Sequence, residues 1–262
     1  MAGRNITHPL LEGLRQQLRR SGVDAPLCWR GRAGRGDIAV AGLAPALKTG
    51  AAKILYAPHQ RLLPKQAQKS VVAPFGLDVF ADADPERGRS IVTLNAPFVT
   101  TFMLDAHSVR KTVAMLAPFL HKREDIFLVV AVFGEAEQPG EALGKAVEEY
   151  GLERRFLAID LVDEVEVGDV VAASGAVFWC GNGWEYPQAI FGAAVLGIPA
   201  VVAKDAEWLR NYAVVCREDT VSVALEAVFG RRLPAVEVRW RWRDVATKIA
   251  AALEGSYQSA GA

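Results

Sequence analysis

The sequence lacks the features that define several broad classes of protein. No apolar run reaches the roughly 18 residues that a membrane-spanning helix needs. The N-terminal stretch MAGRNITHPLLEGLRQQLRR has neither the continuous apolar segment nor the cleavage site of a signal peptide. The three cysteines are far apart and have no CxxC spacing, which disfavours a disulfide framework or a structural zinc site. We therefore expect a cytoplasmic protein with no membrane span.

Common catalytic and cofactor motifs are also missing. The sequence has no GxxxxGK(S/T) P-loop and no GxSxG nucleophile elbow. Neither GRAGRG nor GNG has the spacing of a dinucleotide-binding GxGxxG loop. The four histidines form no HxH or HExxH pattern. These absences predict that the protein holds no metal ion and no cofactor.

Charge is distributed unevenly along a chain whose formal net charge is zero. Residues 1–70 contain 12 lysines and arginines but only 3 acidic residues, a net charge of +9, and the remaining residues carry −9. A basic segment of this kind suits a surface that binds phosphate, nucleic acid or an acidic partner. It is equally compatible with a solvated basic face that complements the acidic remainder of the chain.

Apolar residues, 51% of the chain, are arranged from Val71 onward in alternating strand and helix patterns. The predicted helices cover 105–121, 141–151, 187–197, 220–229 and 243–253, and the predicted strands cover 91–95, 126–132, 155–160, 175–180, 199–204 and 213–218. Strands that alternate with helices of about ten residues indicate βαβ units and a parallel sheet. We therefore expect an α/β fold with a doubly wound, mostly parallel sheet, Rossmann-like in architecture.

Three loops are candidate ligand sites, because ligands of doubly wound sheets bind outside the carboxyl ends of the strands. The predicted strands place Asn95–Thr101, Phe133–Gln138 and Gly181–Pro187 at these ends. We expect a small molecule to bind along this edge of the sheet.

The two ends of the chain have weaker patterns. Near the N terminus, leucine spacing predicts a short helix over 9–20, and short strands are expected over 38–43, 51–56 and 71–74. Near the C terminus, the segment RWRWR over 239–243 alternates cationic residues with tryptophan. This segment fits a partner-binding surface, an edge strand, or an extended segment that packs Trp240 and Trp242 inward.

One stretch, GAVFWCGNGWEYPQAIFGAAVLGIPAVVAKDAEWL, has a distinctive order of features. A strand and a polar loop with a carboxylate precede a helix that starts with proline, and a Gly-x-Pro turn, a buried strand and a glutamate-containing loop follow. This order resembles the C-terminal, donor-binding domain of the GT-B glycosyltransferases, which use nucleotide sugars and have two Rossmann-like domains. The residues that match the family pattern in register are Pro187, Ala193, Gly197 and Pro199, with Pro74, Gly76 and Asp78 in an upstream segment that resembles the interdomain segment.

The resemblance extends over roughly residues 38–254 and implies a division of the chain. Residues 71–254 correspond to the donor-binding domain, residues 1–70 to a short basic remnant of an acceptor domain, and residues 255–262 to a flexible tail. Acceptor domains of the family have well over a hundred residues, so we expect the N-terminal part to correspond to only the last part of one.

A donor site is also implied by the resemblance. Its expected members are Asn182, Trp184, Glu185, Pro187 and Glu207. Trp184 would stack on a base or a sugar and the glutamates would hold hydroxyl groups, although Trp184 fits packing against the sheet edge at least as well. No catalytic dyad is required, because retaining members of the fold need no protein nucleophile.

The chain departs from the family at positions that contact the donor. Two glutamates of the family, one for the sugar and one for the ribose, fall on Trp184 and Gly192, and Glu185 lies one place late. The arginine and lysine that bind the diphosphate are missing from the corresponding loop, NAPFVTTFMLD. Helix N termini would then carry the phosphate charge, or basic residues of the N-terminal part would replace the missing cations: Arg30, Arg32, Arg35, Arg61 and Lys65.

These observations lead to three hypotheses about function. The first is sugar transfer from a nucleotide-sugar donor to an unidentified acceptor, with the nucleotide sugar as substrate. The second is a catalytically inactive, GT-B-like binding or scaffolding subunit that is completed by a partner chain or by a second copy of itself. The third, which is narrower, is a glycosyltransferase that acts on DNA and holds its phosphates through the basic residues 1–70.

Overall fold

The computed structural model describes residues 11–28, 32–34, 36–41, 48, 52–57, 63, 69–73, 76–103, 106–132, 137–161, 164–180, 187–237 and 241–258 of the 262-residue chain. The chain divides into two compact units. The first consists of Met1–Asp78 together with Val238–Ala262, and the second of Val79–Glu237.

Strands and α-helices alternate along most of the chain. The strands are β1 (Leu27–Cys28), β2 (Ile38–Val40), β3 (Ile54–Ala57), β4 (Ser70–Val72), β5 (Phe98–Met103), β6 (Phe127–Val132), β7 (Phe156–Asp160), β8 (Ala176–Trp179), β9 (Ala200–Ala203) and β10 (Val214–Cys216). The helices are α1 (Glu12–Arg20), α2 (Asp78–Ala81), α3 (Pro85–Val92), α4 (Ala106–Lys122), α5 (Glu137–Glu149), α6 (Glu164–Ala173), α7 (Pro187–Leu196), α8 (Val221–Val228) and α9 (Trp242–Gln258). None of the described helices is long and apolar enough to span a membrane.

The first unit contains a four-stranded parallel sheet in the order β1-β2-β3-β4. Helix α1 buries Leu14 and Leu18 and packs against α9, which also contacts β3 and β4. The N terminus of α9 is held by the segment that resembles the interdomain segment of the family. Asp78 accepts a hydrogen bond from the backbone N–H of Trp242 at 2.8 Å, and the buried Trp242 ring lies so close to Gly76 that a Cβ atom there would be 2.4 Å from it.

The units differ from the predicted domains at the end of the chain. Val238–Ala262 belong with the N-terminal residues, whereas the prediction began the second domain at residue 71 and continued it to residue 254. Helix α9 also reaches Gln258, so part of the predicted tail is helical. Trp242 is buried at the start of this helix, so the edge-strand interpretation is wrong for this tryptophan although its inward packing is confirmed. The roles of the two parts as acceptor and donor domains stay predictions.

The second unit contains a six-stranded sheet in the order β10-β9-β8-β5-β6-β7, and every pair of neighbouring strands is parallel. Helices α4, α5 and α8 cover one face, and α3, α6 and α7 form the second helical layer. Alternate residues of the strands point to opposite faces, so both faces bury apolar side chains, which explains why these strands are apolar without alternation. The predicted α/β fold with a doubly wound parallel sheet is confirmed.

One predicted strand is wrong. Residues 91–95 include the end of helix α3, and the first strand of the second unit is β5, a few residues further on. The segment at the start of α3 is rich in turn-forming residues, but Asp84 is an N-cap whose side chain accepts a hydrogen bond from the backbone N–H of Glu86 at 2.8 Å. Pro85 then occupies the first helical turn, the position that proline favours. This start signal outweighs the β-branched residues at the end of the segment.

Candidate functional site

The six-stranded sheet has a topological switch point between β5 and β8. From β5 the chain proceeds outward through β6 and β7, and then from β8 outward in the other direction through β9 and β10. Folds of this kind bind ligands outside the carboxyl ends of the strands at such a switch point. Helices α4 and α7, which follow these strands, begin at this edge, so their N termini direct backbone N–H groups and partial positive charge toward it.

Two of the three predicted loops lie mostly outside the described residues, and the third is wrong. Phe133–Gln138 comes after β6 in the sequence and Gly181–Pro187 comes between β8 and α7, and only Glu137, Gln138 and Pro187 of these loops are described. Asn95–Thr101 is wrong, because it enters β5 from the amino edge and forms most of that strand. The error follows from the misplaced strand at 91–95.

The predicted donor-binding residues are only partly described. Asn182, Trp184 and Glu185 lie outside the described residues, and Pro187 is the first residue of α7, as its position in the motif predicts. Glu207 lies in the 3-10 helix Lys204–Leu209 directly after β9, where its half-exposed carboxylate pairs with Arg210. Trp208 of the same 3-10 helix packs edge-on against Trp179, the last residue of β8, with ring centroids 6.4 Å apart. This aromatic contact fixes the segment that carries Glu207 against the end of the central strand.

The predicted phosphate-binding cations of the N-terminal part are mostly outside the described residues, namely Arg30, Arg35, Arg61 and Lys65. Arg32 is described. It is exposed and forms an isolated parallel bridge with Lys48 in the first unit. Whether these cations hold phosphate therefore stays a prediction.

A cavity of about 310 Å³ opens at the carboxyl ends of β9 and β10. Its lining residues are Lys204, Glu207, Arg210, Val215, Cys216 and Arg217. Arg217 pairs with Asp219 at 2.9 Å. Lys204 is exposed, and no carboxylate in the described part of the chain pairs with it. Burial raises the pKa of the Cys216 thiol, so this group is a neutral part of the wall. Arg210 and Arg217 are paired with Glu207 and Asp219, so among the described residues Lys204 is the lining cation without a carboxylate partner.

The sequence did not indicate these cations, because the resemblance places the diphosphate-binding arginine and lysine in the loop NAPFVTTFMLD. Lys204 and Arg217 each come directly after a strand of the structure, β9 and β10, and lie at or near the ends of the corresponding predicted strands, which was the available signal. A further cation, Lys111 of α4, is held by Glu218 at 2.6 Å and by Asp205 at 3.5 Å. The hydrogen bond with Glu218 raises the pKa of Lys111. Since two carboxylates surround this ammonium group, it adds little positive charge to the edge.

Gly192 is the residue onto which the resemblance places the family's ribose-binding glutamate. It lies inside α7 and is buried. A Cβ atom at this position would be 2.1 Å from the ring of Phe80, which is itself completely buried. A side chain fits here only if the Phe80 ring or the helix moves, so a glutamate has no room in this arrangement.

Comparisons with known proteins find similarity in structure alone. No protein-family model and no curated protein sequence matches the chain. The structure is similar to that of WaaG, a glycosyltransferase involved in lipopolysaccharide biosynthesis, with a TM-score of 0.56 and 13% identity over 93% of this chain and 79% of WaaG. It is also similar to HepE of Anabaena, solved in complex with UDP and glucose, with a TM-score of 0.51 and 13% identity over 80% of this chain and 63% of HepE.

A third similar structure is sucrose-phosphate synthase from Thermosynechococcus elongatus, with a TM-score of 0.50 and 12% identity over 78% of this chain and 54% of the synthase. The chain thus spans less than two thirds of HepE and of the synthase. Identities this low establish a shared fold and leave activity and substrate open. The chain has the fold of the GT-B glycosyltransferases, as its motifs predict.

Proposed function

We propose that the protein transfers a sugar from a nucleotide-sugar donor to an acceptor, and that the donor binds at the carboxyl edge of the six-stranded sheet. The observation that carries this proposal is the extent of the structural similarity to a glycosyltransferase, which includes 93% of this chain. The similarity therefore extends beyond a single Rossmann-like sheet, which many unrelated proteins share. That HepE holds UDP and glucose supports a nucleotide sugar as the donor class.

In this proposal the switch point binds the donor diphosphate. The N termini of α4 and α7 offer N–H groups to an anion, and Lys204 and Arg217 supply positive charge at the neighbouring strand ends. Arginine suits phosphate oxygens because its guanidinium group forms paired hydrogen bonds with them. Glu207, together with Asn182, Trp184 and Glu185 of the preceding loop, would bind the sugar and the nucleoside.

The chemistry requires little more than positioning and charge stabilisation. The bond between the sugar C1 and the diphosphate oxygen breaks, and its electron pair leaves with the nucleoside diphosphate. A new bond forms between C1 and an acceptor hydroxyl oxygen, whose proton is released. Cations and helix N termini lower the barrier because they stabilise the negative charge that develops on the leaving group.

Thermal unfolding in the presence of nucleotides and nucleotide sugars tests the proposal. UDP, GDP, ADP and dTDP, each with and without a sugar, are compared at equal ionic strength. A ligand at a hundredfold its Kd adds about 2.7 kcal/mol to the free energy of unfolding, which gives a clear rise in Tm. A rise that depends on the base supports a donor pocket, and no rise with any of these compounds contradicts it.

Substitution of Glu207 tests the predicted site. We expect Glu207→Gln to abolish transfer with little change in Tm, because its carboxylate is half exposed and its partner Arg210 is exposed as well. Glu153→Gln is a matched control, since Glu153 is an exposed residue of the turn before β7, at the amino edge. Full activity in Glu207→Gln, or equal loss in both variants, would exclude Glu207 from the site.

A second candidate function is a binding or scaffolding subunit that no longer catalyses transfer. The observation that favours it is the packing of Phe80 against Gly192, which leaves no space for a side chain at a position where the family holds the ribose. This alternative would be supported if the purified chain unfolds cooperatively but binds no nucleotide. Sugar transfer would then be detected only after a second chain is added.

A further inference from the structure

A second cavity lies at the amino edge of the six-stranded sheet, opposite to the carboxyl edge. It has a volume of about 450 Å³ and is bounded by the segment that enters β5, the segment that enters β8 and the residues after α8. Its polar side chains are Arg89, Asn95, Ser174, Arg231 and Arg232. A volume of this size lies within the range of about 300–1,000 Å³ that is typical of small-molecule sites.

The charge of this cavity is one-sided. Three arginines line it, and none of its described lining residues is acidic. Arg89 forms one ion pair, with Glu86 of the same helix at 3.0 Å, and both side chains are more than half exposed. No carboxylate in the part of the chain that the structure describes pairs with Arg231 or Arg232. At least two guanidinium groups are therefore available to an anion.

The wall of the cavity is held by backbone hydrogen bonds. The N–H of Gly175 donates to the carbonyl of Phe98, and the N–H of Gly230 donates to the carbonyl of Gly175, both at 2.9 Å. The ring of Phe229 lies so close to Gly175 that a Cβ atom there would be 2.4 Å from it. The segment that carries Arg231 and Arg232 is linked in this way to two central strands, so the backbone of this wall is fixed before any ligand binds.

We propose that this cavity binds a small organic phosphate through Arg231, Arg232 and Arg89. Guanidinium groups form paired, charge-assisted hydrogen bonds with phosphate oxygens. The cavity is larger than a single phosphate ion requires, and Pro97 and Phe229 provide an apolar surface for the carbon skeleton of the ligand. The site is separate from the proposed donor site, because the two occupy opposite edges of one sheet.

Stabilisation of helix ends is the competing explanation for these arginines. Arg89 lies in the last turn of α3, and Arg231 and Arg232 follow the end of α8. Cations at such positions compensate the partial negative charge of a helix C terminus. This explanation requires no ligand and predicts that loss of an arginine lowers Tm, whereas ligand binding predicts a loss of affinity with little change in Tm.

Calorimetric titration of the full chain distinguishes the two explanations. The probes are ribose 5-phosphate, inorganic phosphate and ribose, at equal ionic strength. We expect ribose 5-phosphate to bind most tightly and ribose not to bind. Arg231→Gln and Arg232→Gln should each weaken binding of ribose 5-phosphate by about tenfold, since each removes a charge-assisted hydrogen bond. Arg232→Lys, which keeps the charge, should show an intermediate loss.

Two control variants identify the site of binding. Arg154→Gln removes an exposed arginine that does not line this cavity, and Arg217→Gln removes a cation of the carboxyl edge. We expect both to bind ribose 5-phosphate like the unmodified protein. No binding by that protein, equal weakening in Arg154→Gln, or weakening in Arg217→Gln alone would overturn the proposal. Equal affinity for inorganic phosphate would overturn the role of the apolar surface.

Discussion

Replacement of Gly192 by alanine tests how tightly helix α7 is packed at the position onto which the resemblance places the family's ribose-binding glutamate. A Cβ atom on Gly192 would lie 2.1 Å from one ring carbon of Phe80 and 2.3 Å from two others. Ordinary contacts begin at 3.4 Å, so the ring or the helix has to move by about 1.3 Å. Phe80 has no solvent-exposed surface, so the ring cannot move without displacing the buried residues around it.

The expected loss of stability follows from two opposing effects. Overpacking of a buried site costs about 1–3 kcal/mol, whereas alanine in place of glycine inside a helix adds about 0.5–1 kcal/mol. We therefore expect Gly192→Ala to lower the free energy of unfolding by about 1–2 kcal/mol, which corresponds to a decrease in Tm of about 2–8 °C in a protein of this size. A glutamate, which is larger, should prevent α7 from packing.

Urea unfolding monitored by circular dichroism measures this effect, with Gly144→Ala as the control. Gly144 is an exposed glycine of α5, and a Cβ atom there would have no neighbour within 4 Å, so this variant should be slightly more stable than the unmodified protein. Phe80→Leu combined with Gly192→Ala should cost less than the sum of the two single substitutions, because the smaller side chain relieves the overlap. Equal stability of Gly192→Ala and Gly144→Ala would refute the packing argument.

Two further predictions concern charged groups of the second unit. Asp169 is buried and accepts hydrogen bonds from Arg87 at 2.8 and 3.0 Å and from the backbone N–H of Asp84 at 2.7 Å. Asp169→Asn should therefore lower the free energy of unfolding by about 2 kcal/mol. An unchanged urea midpoint would contradict this prediction. Lys111 has a pKa raised above its ordinary 10.5, chiefly by its hydrogen bond with Glu218. The stabilising effect of this charged group is therefore complete below that value and is lost as the pH rises through the folded-state pKa. The difference in Tm between the unmodified protein and Lys111→Gln should accordingly become smaller in alkaline solution. A difference in Tm that does not depend on pH would contradict this prediction.

Local patterns were sufficient for most elements of the second unit. The apolar runs that became β6, β8 and β9 have no alternation, because both faces of this sheet are buried, and such runs are recognisable without any knowledge of their neighbours. Helix α4 was predicted from Val109, Val113 and Leu116, which recur at helical spacing. All three side chains are buried in the structure. The wrong strand at 91–95 also has a local cause, because Asp84 is an N-cap residue that marks the start of helix α3.

The candidate site was predicted less completely than the fold. The sequence indicated the loop at Gly181–Pro187 and the segment of Glu207, because a resemblance assigns residues by their order along the chain. It did not indicate that Lys204 and Arg217 line one cavity, since they come from different strand ends and meet only when β9 and β10 pair. The arginines of the second cavity were missed for the same reason.

The sequence by itself determined the alternation of strands and helices, the parallel doubly wound sheet and the resemblance to GT-B glycosyltransferases, all of which depend on periodicity and on the order of motifs. Only the tertiary structure decided which residues meet. Gly197 appeared in the sequence as a helix terminator, and its φ of +67° agrees, but the structure adds that a Cβ atom there would lie 2.5 Å from the carbonyl oxygen of Leu233. Likewise, Val238–Ala262 belong with the N-terminal residues because Trp242 packs on Gly76 and binds Asp78. Contacts between residues so distant in sequence leave no periodic signal, because they depend on how the elements pack in three dimensions.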